Sequence, residues 1–190
     1  MLKIGIIIGS TRQGRNGAAV AQWMYDFAVQ RNDDVAYELV DLVEYPLPFL
    51  GAAVPEAMQI DANAAMTAWS DKMASFDGYI FVSPEYNHAT SGVLKNALDY
   101  LHSEAYNKAA GFVAYGGLGG ARAIENLRLI LGELQIADVR TAVTFSLMTD
   151  FDNMKSFKPA HYHANNANQM LDQLIAWSGA LKTVRRNGKQ

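Results

Sequence analysis

The sequence predicts an α/β fold: a five-stranded parallel sheet in the doubly wound order 2-1-3-4-5, with helices on both faces. Three observations lead there. Short apolar runs alternate along the chain with segments whose apolar residues recur at helical spacing. The runs are apolar throughout rather than alternating, as in strands covered on both faces. Glycine-rich or polar turns follow the first, third and fourth runs, where an open parallel sheet presents its ligand-binding edge.

Residues 4–8 form a β-branched run between glycines and are the first strand. Ala19, Val20, Trp23, Met24, Phe27 and Ala28 put a helix over residues 16–30. A second strand is expected at 37–42. Residues 45–56 hold Pro46, Pro48 and Pro55 and form a loop. A helix over 61–76 follows, with Asp61 as its cap. The third strand is 79–82, and a helix spans 91–102. Strand 110–115, helix 121–134 and a fifth, continuous strand at 139–145 come next. After an irregular stretch, a last helix is expected at 164–182.

At 190 residues, with 50% apolar and 18% charged residues, the chain reads as one globular domain, residues 1–190. Its formal charge of -3 lacks the clustered basic excess of a nucleic-acid binder. The one basic cluster, residues 182–189, reads as a solvated, frayed tail. With no cysteine, thiolate catalysis, disulfides and iron–sulfur ligation are excluded. The N-terminal apolar run is too short for a secretion signal, and no run approaches the length of a membrane span. The expectation is a cytoplasmic protein that binds no membrane.

The turn after the first strand contains Gly9, Ser10, Thr11, Arg12, Gly14, Arg15, Asn16 and Gly17, between a strand and a helix. Backbone N–H groups at a helix N-terminus favour an anion, Ser10, Thr11 and Asn16 add neutral donors, and Arg12 and Arg15 can fork onto phosphate oxygens. Two better-known loops fail. Arg15-Asn16 stands where a P-loop needs lysine and a hydroxyl, and Thr11 stands where a dinucleotide fingerprint needs its middle glycine. Asp41, at the end of the second strand, reads as a turn residue. A phosphomonoester is the expected ligand.

After the third strand come Ser83, Pro84, Glu85, Tyr86, Asn87 and His88. Pro84 stiffens this turn, and its amides, Asn87 and Tyr86 could meet the edge or face of a flat heterocycle. Gly116 and Gly117 open a glycine-rich turn after the fourth strand, where backbone can approach a ligand closely.

Taken together, the Gly9–Asn16 turn, Pro84-Glu85-Tyr86-Asn87 with Lys95-Asn96-Ala97-Leu98-Asp99, and Gly116-Gly117-x-Gly119-Gly120 resemble the NADPH-dependent FMN reductase family over residues 2–145. That family includes flavodoxin-like quinone, azo-dye and chromate reductases. The resemblance implies a flavodoxin-like fold and FMN with its phosphate on Ser10, Arg12, Arg15, Asn16 and the Gly17 amide. Its ring edge would lie along Pro84, Glu85, Tyr86 and Asn87, near Gly116 and Gly117. Many members carry serine near position 15 or 17, where Arg15 and Gly17 stand here. NADPH or NADH would deliver hydride to the flavin, leave, and be replaced by a quinone, free flavin or similar acceptor, in a ping-pong sequence that requires no catalytic side chain. The resemblance also suggests a homodimer or homotetramer, with subunit contacts through the Leu94, Leu98, Tyr100 and Leu101 region. Simple packing of that helix on its own sheet is the alternative.

Two other functions stay open: a flavodoxin-type electron carrier and a non-catalytic nucleotide-binding module. The first is disfavoured by the small net charge, because such carriers are strongly acidic. His161 and His163 are read as solvated loop histidines, not a metal site.

Overall fold

A computed structural model describes residues 1–188. Strand β1 (Leu2–Ile8) is central, flanked by β2 (Val35–Asp41) and β3 (Gly78–Pro84), with β4 (Lys108–Gly116) beyond β3. The fifth position holds two short strands, β5 (Ile136–Asp138) and β6 (Val143–Ser146), both parallel to β4. The order β2-β1-β3-β4-β5 is the one the sequence predicts.

Helices α1 (Gly17–Gln30) and α5 (His163–Asn187) pack on one face, where Val20, Met24, Met170 and Leu174 meet Ile4, Ile6 and Val113. On the other face α2 (Gln59–Ala74), α3 (Gly92–Asp99) and α4 (Ala121–Glu133) bring Trp69, Leu94 and Leu127 against Ile7, Phe81 and Phe112. Every residue of β3 and β4 is buried, the physical origin of their continuous apolar runs. Register matters for the site: Ile8 lies opposite Val82, and Pro84 opposite Tyr115. The carboxyl ends of β1, β3 and β4 therefore finish at one edge.

Four expectations are corrected. The fifth strand is broken at Val139–Ala142, where Arg128 bonds the carbonyls of Val139 and Arg140 and pairs with Asp138, so a guanidinium replaces part of the sheet ladder. Asp61 does not cap α2. The helix starts at Gln59, after a 3₁₀ turn closed by the Met58 amide on Pro55 O (2.8 Å), and Asp61 sits in its first turn. The basic C-terminal segment is not frayed: α5 runs to Asn187, and Lys182 and Arg185 both reach Asp77 (2.7 Å each), while Lys189 lies outside the described residues. His163 is not solvated. It is buried against Asp150, whereas His161 is exposed. The irregular stretch before α5 contains a small hairpin, β7 (Phe151–Asp152) with β8 (Ser156–Phe157).

Leu94, Leu98 and Leu101 are wholly buried within this chain, so that row packs on its own sheet. No helix among the described residues is long and apolar enough to cross a membrane.

Burial alone would raise the Asp77 carboxyl. Hydrogen bonds from Lys182 Nζ and the Lys3 amide (3.1 Å), with the charges of Lys182 and Arg185, outweigh it and hold the group below its ordinary range. A depressed folded-state value gives stability that is present above the unfolded aspartate value of about 3.9 and is lost as pH falls through the folded one. Asp77→Asn should therefore lower unfolding stability by about 1–3 kcal/mol at neutral pH. In urea melts across pH, the gap to the parent chain should narrow as pH falls below about 3.9 and close only beneath the depressed folded-state value, where both side chains are neutral.

Candidate functional site

Three turns meet at the carboxyl edge of the sheet because each is tied to its neighbour. The Gly9 amide donates to Val82 O (2.8 Å), continuing the β1–β3 ladder, and Gly9 O accepts from Ser91 Oγ (2.5 Å). The same Ser91 oxygen accepts from the Leu94 amide (3.1 Å), so it caps α3 while anchoring the first turn. On the other side, the Glu85 amide donates to Tyr115 O (2.9 Å), extending β3 along β4.

Within the first turn, Ser10 is buried and its hydroxyl meets the Tyr115 hydroxyl at 3.4 Å. Burial pushes the Tyr115 phenol up to about 12, so it stays protonated and able to donate. A Cβ at Gly17 would stand 2.8 Å from both Ser10 Oγ and Tyr115 OH, so only glycine lets α1 begin this close. Arg15 bonds Ser10 O (2.5 Å) and pairs with Asp41, and it acts as a brace. Asp41 also caps the following 3₁₀ turn through the Val43 amide (3.1 Å).

Asn16 occupies the N-cap position of α1 yet makes no capping bond. Its side-chain amide instead donates to Met154 O (3.0 Å) in the β7–β8 hairpin. No carboxylate lies in the first turn of α1. Among the described residues, the opening N–H groups of this fourteen-residue helix thus have no side-chain acceptor, the donor set and dipole that suit an anion. Arg12 reaches across to Tyr86 OH (3.4 Å) and, among the described residues, has no carboxylate in ion-pair reach.

The turn after β3 is a tight two-residue one. Tyr86 and Ala89 exchange backbone bonds (2.9 and 3.1 Å), with Asn87 and His88 left-handed at φ 50° and 70°. The Glu85 and Tyr86 amides are thereby engaged, and those of Asn87 and His88 are the donors not used in closing the turn. Glu85 is committed elsewhere: its side chain is 4% exposed, pairs with Arg122, and accepts from Arg122 Nε (2.6 Å) and the Arg122 amide (3.1 Å) at the start of α4. Arg122 Nη1 in turn donates to His88 Nε2 (2.7 Å), placing the proton of a neutral ring on Nδ1. Gly116 and Gly117 lead into the last turn, where Gly117 faces open space. Gly120, at φ 82°, starts α4 against Ala114, where a Cβ would lie 2.7 Å from Ala114 Cβ.

The structure therefore gathers Ser10, Arg12, Gly17, Pro84, Tyr86, Asn87, Gly116 and Gly117 at one edge, and turns Arg15, Asn16 and the Glu85 carboxylate to bracing contacts. Sequence patterns do not point to Tyr115 or Arg122, whereas Ser91 stands where the third helix is expected to open. Beside Thr11 a cavity of about 340 Å³ opens between the 42–49 loop and α3, lined by Leu42, Tyr45, Leu47, Phe49, Val93 and Ala97. Asn96 clamps that loop through Pro48 O (2.8 Å) and the Leu50 amide (2.9 Å). Among the described residues no cluster of His, Asp and Glu is placed to hold a metal.

The Glu85–Arg122 pair is asymmetric, because Arg122 is 40% exposed. Arg122→Met leaves a buried carboxylate with one backbone donor and should cost about 3–5 kcal/mol. Glu85→Gln leaves a cation that can turn to water and should cost about 1–2 kcal/mol. Urea unfolding of both variants checks the order.

The sequence profile of the NADPH-dependent FMN reductase family matches residues 2–150. An NAD(P)H-dependent FMN reductase from a Nectria species is 36% identical over 160 residues, covering 79% of each chain. One from Schizosaccharomyces pombe is 35% identical over 150 residues, covering 78% of this chain and 74% of its own. An FMN-dependent NADPH-azoreductase of Staphylococcus saprophyticus is 28% identical over 179 residues, covering 90% and 93%. Among solved structures, the flavoenzyme NAD(P)H:(acceptor) oxidoreductase of Paracoccus denitrificans has a TM-score of 0.70 at 18% identity, covering 93% of this chain and 98% of its own, a likeness of fold. On its sequence, the chain belongs to the NADPH-dependent FMN reductase family.

Proposed function

We propose that this chain is a cytoplasmic oxidoreductase that binds FMN at the three joined turns and passes electrons from NAD(P)H to small flat acceptors such as quinones or free flavin, in a ping-pong sequence. FMN is the cofactor and NAD(P)H the co-substrate of its family. The observation that carries the reading is the open N-terminus of α1: a helix whose cap residue is drawn aside, with no carboxylate in its first turn and Arg12 at hand. That donor set fits a phosphomonoester, the group that heads FMN.

When bound, FMN supplies the hydride and electron chemistry that no side chain here can provide. The chain's own residues bind and orient. Ser10, the Gly17 amide and Arg12 hold the phosphate, with Arg15 and Asn16 fixing the turn around it. Pro84, Tyr86 and the amides of Asn87 and His88 form one wall for the ring, and Gly116 and Gly117 leave room beside it. Glu85 and Arg122 keep those two turns together. The apolar cavity beside Thr11 suits uncharged flat molecules. The whole chain, 1–190, acts as one domain in a homodimer or homotetramer.

Anaerobic addition of NADPH to the FMN-loaded protein should bleach the flavin absorbance, and re-oxidation by a quinone should restore it. A flavin that stays yellow would make the protein a carrier rather than a reductase. Arg12→Ala should weaken FMN binding by about 1.5–3 kcal/mol, read as a rise in Kd by flavin fluorescence.

A further inference from the structure

We propose that Asp150 and His163 are positioning residues for the cofactor phosphate: their buried pair holds the 151–157 hairpin against Asn16 and so keeps the first turn of α1 open to the anion. The proposal rests on the reading of that turn as the FMN phosphate site.

Asp150 is 1% exposed and His163 4%, and the imidazole Nε2–H donates to Asp150 Oδ1 at 2.7 Å. The other carboxylate oxygen accepts from the Ser146 amide (2.9 Å) and Thr149 Oγ1 (3.2 Å), and the Asp150 carbonyl accepts from the Lys158 amide (2.8 Å). One residue thus gathers the end of β6, both flanks of the hairpin and the start of α5. A buried carboxylate is tolerable only with such partners, so the contacts form and fail together.

The hairpin tip is strained. Asn153 and Met154 are left-handed, at φ 51° and 57°. The turn Asp152–Lys155, closed by the Lys155 amide on Asp152 O (3.1 Å), has these two at its centre; glycine is usual in the second central place, and methionine there is disfavoured. The Met154 side chain is more than half exposed, so its own packing does not compensate. What engages the tip is its carbonyl, which accepts from Asn16 Nδ2 at 3.0 Å.

Asparagine at an N-cap ordinarily accepts from the second or third N–H of its own helix, from an extended backbone. Asn16 instead is held at φ -82° and ψ -17°, with its amide turned to the hairpin. Release of the hairpin frees Asn16 to cap α1, and its side-chain oxygen then competes with the phosphate for the same donors. The latch acts on the phosphate, not on the ring.

The discriminating measurement is the Kd of the apoprotein for FMN and for riboflavin, which lacks the phosphate, by flavin fluorescence. His163→Phe should weaken FMN by roughly 5–30-fold, the range of one or two broken contacts, and leave riboflavin unchanged. Adding Asn16→Ala, which removes the competing cap, should restore most of the FMN affinity, as no general loss of stability would. Equal losses for both flavins, unchanged FMN affinity, or no rescue by Asn16→Ala would overturn the proposal. Should His163→Phe not fold, Met154→Val decides: a β-branched residue disfavours the left-handed turn at an exposed position, and FMN affinity must fall while riboflavin affinity does not. A parent chain that binds FMN no better than riboflavin would instead refute the phosphate site itself.

Discussion

The Ser91 hydroxyl carries two bonds on which the functional edge depends. It donates to Gly9 O and accepts from the Leu94 amide, joining the turn after β1 to the helix that follows β3. Those two elements can meet there only because Ile8 and Val82 are paired in register, which brings the ends of β1 and β3 level. The β3–β4 register does the same for Glu85 and Tyr115. The turns are thus extensions of a buried ladder rather than free surface loops, and the position of each donor is inherited from the core.

The charges around this edge divide by task. Arg15 is neutralised by Asp41 and Arg122 by Glu85, and both pairs fix one turn against another element. Among the described residues the Arg12 side chain bonds only the Tyr86 hydroxyl. A cation without a carboxylate, next to an uncapped helix start, leaves a local positive potential in a chain whose formal charge is -3. Local placement, not net charge, decides what the edge attracts.

The family match ends at residue 150, and His163 lies beyond it. Even so, the segment past that point is not an appendage. Met154 reaches back to the start of α1, α5 covers one face of the sheet, and its Lys182 and Arg185 close on Asp77 near β3. The fold shared with distant flavoenzymes supplies the sheet. Asn16 and Met154 meet because the chain after residue 150 folds back onto the start of α1.

Sequence alone determined the fold class, the strand order and the location of the three turns. Each of these follows from interactions local in the chain: apolar runs such as Ile4–Ile8 demand burial on both faces, helical spacing demands an apolar stripe, and glycine or proline ends both. It also marked the residue types of a phosphate turn, since Ser10, Arg12 and Gly17 lie within a few positions of one another. Tertiary structure alone decided how those residues are used. Whether an arginine faces a ligand or a brace depends on what stands opposite, and Asp41, Glu85 and Met154 are distant in sequence from Arg15, Arg122 and Asn16. The break in the fifth strand, the burial of His163 and the pinned C-terminal helix have the same origin: each is set by a polar partner brought near only when the sheet and its two helical layers close, and no periodicity in the chain records it.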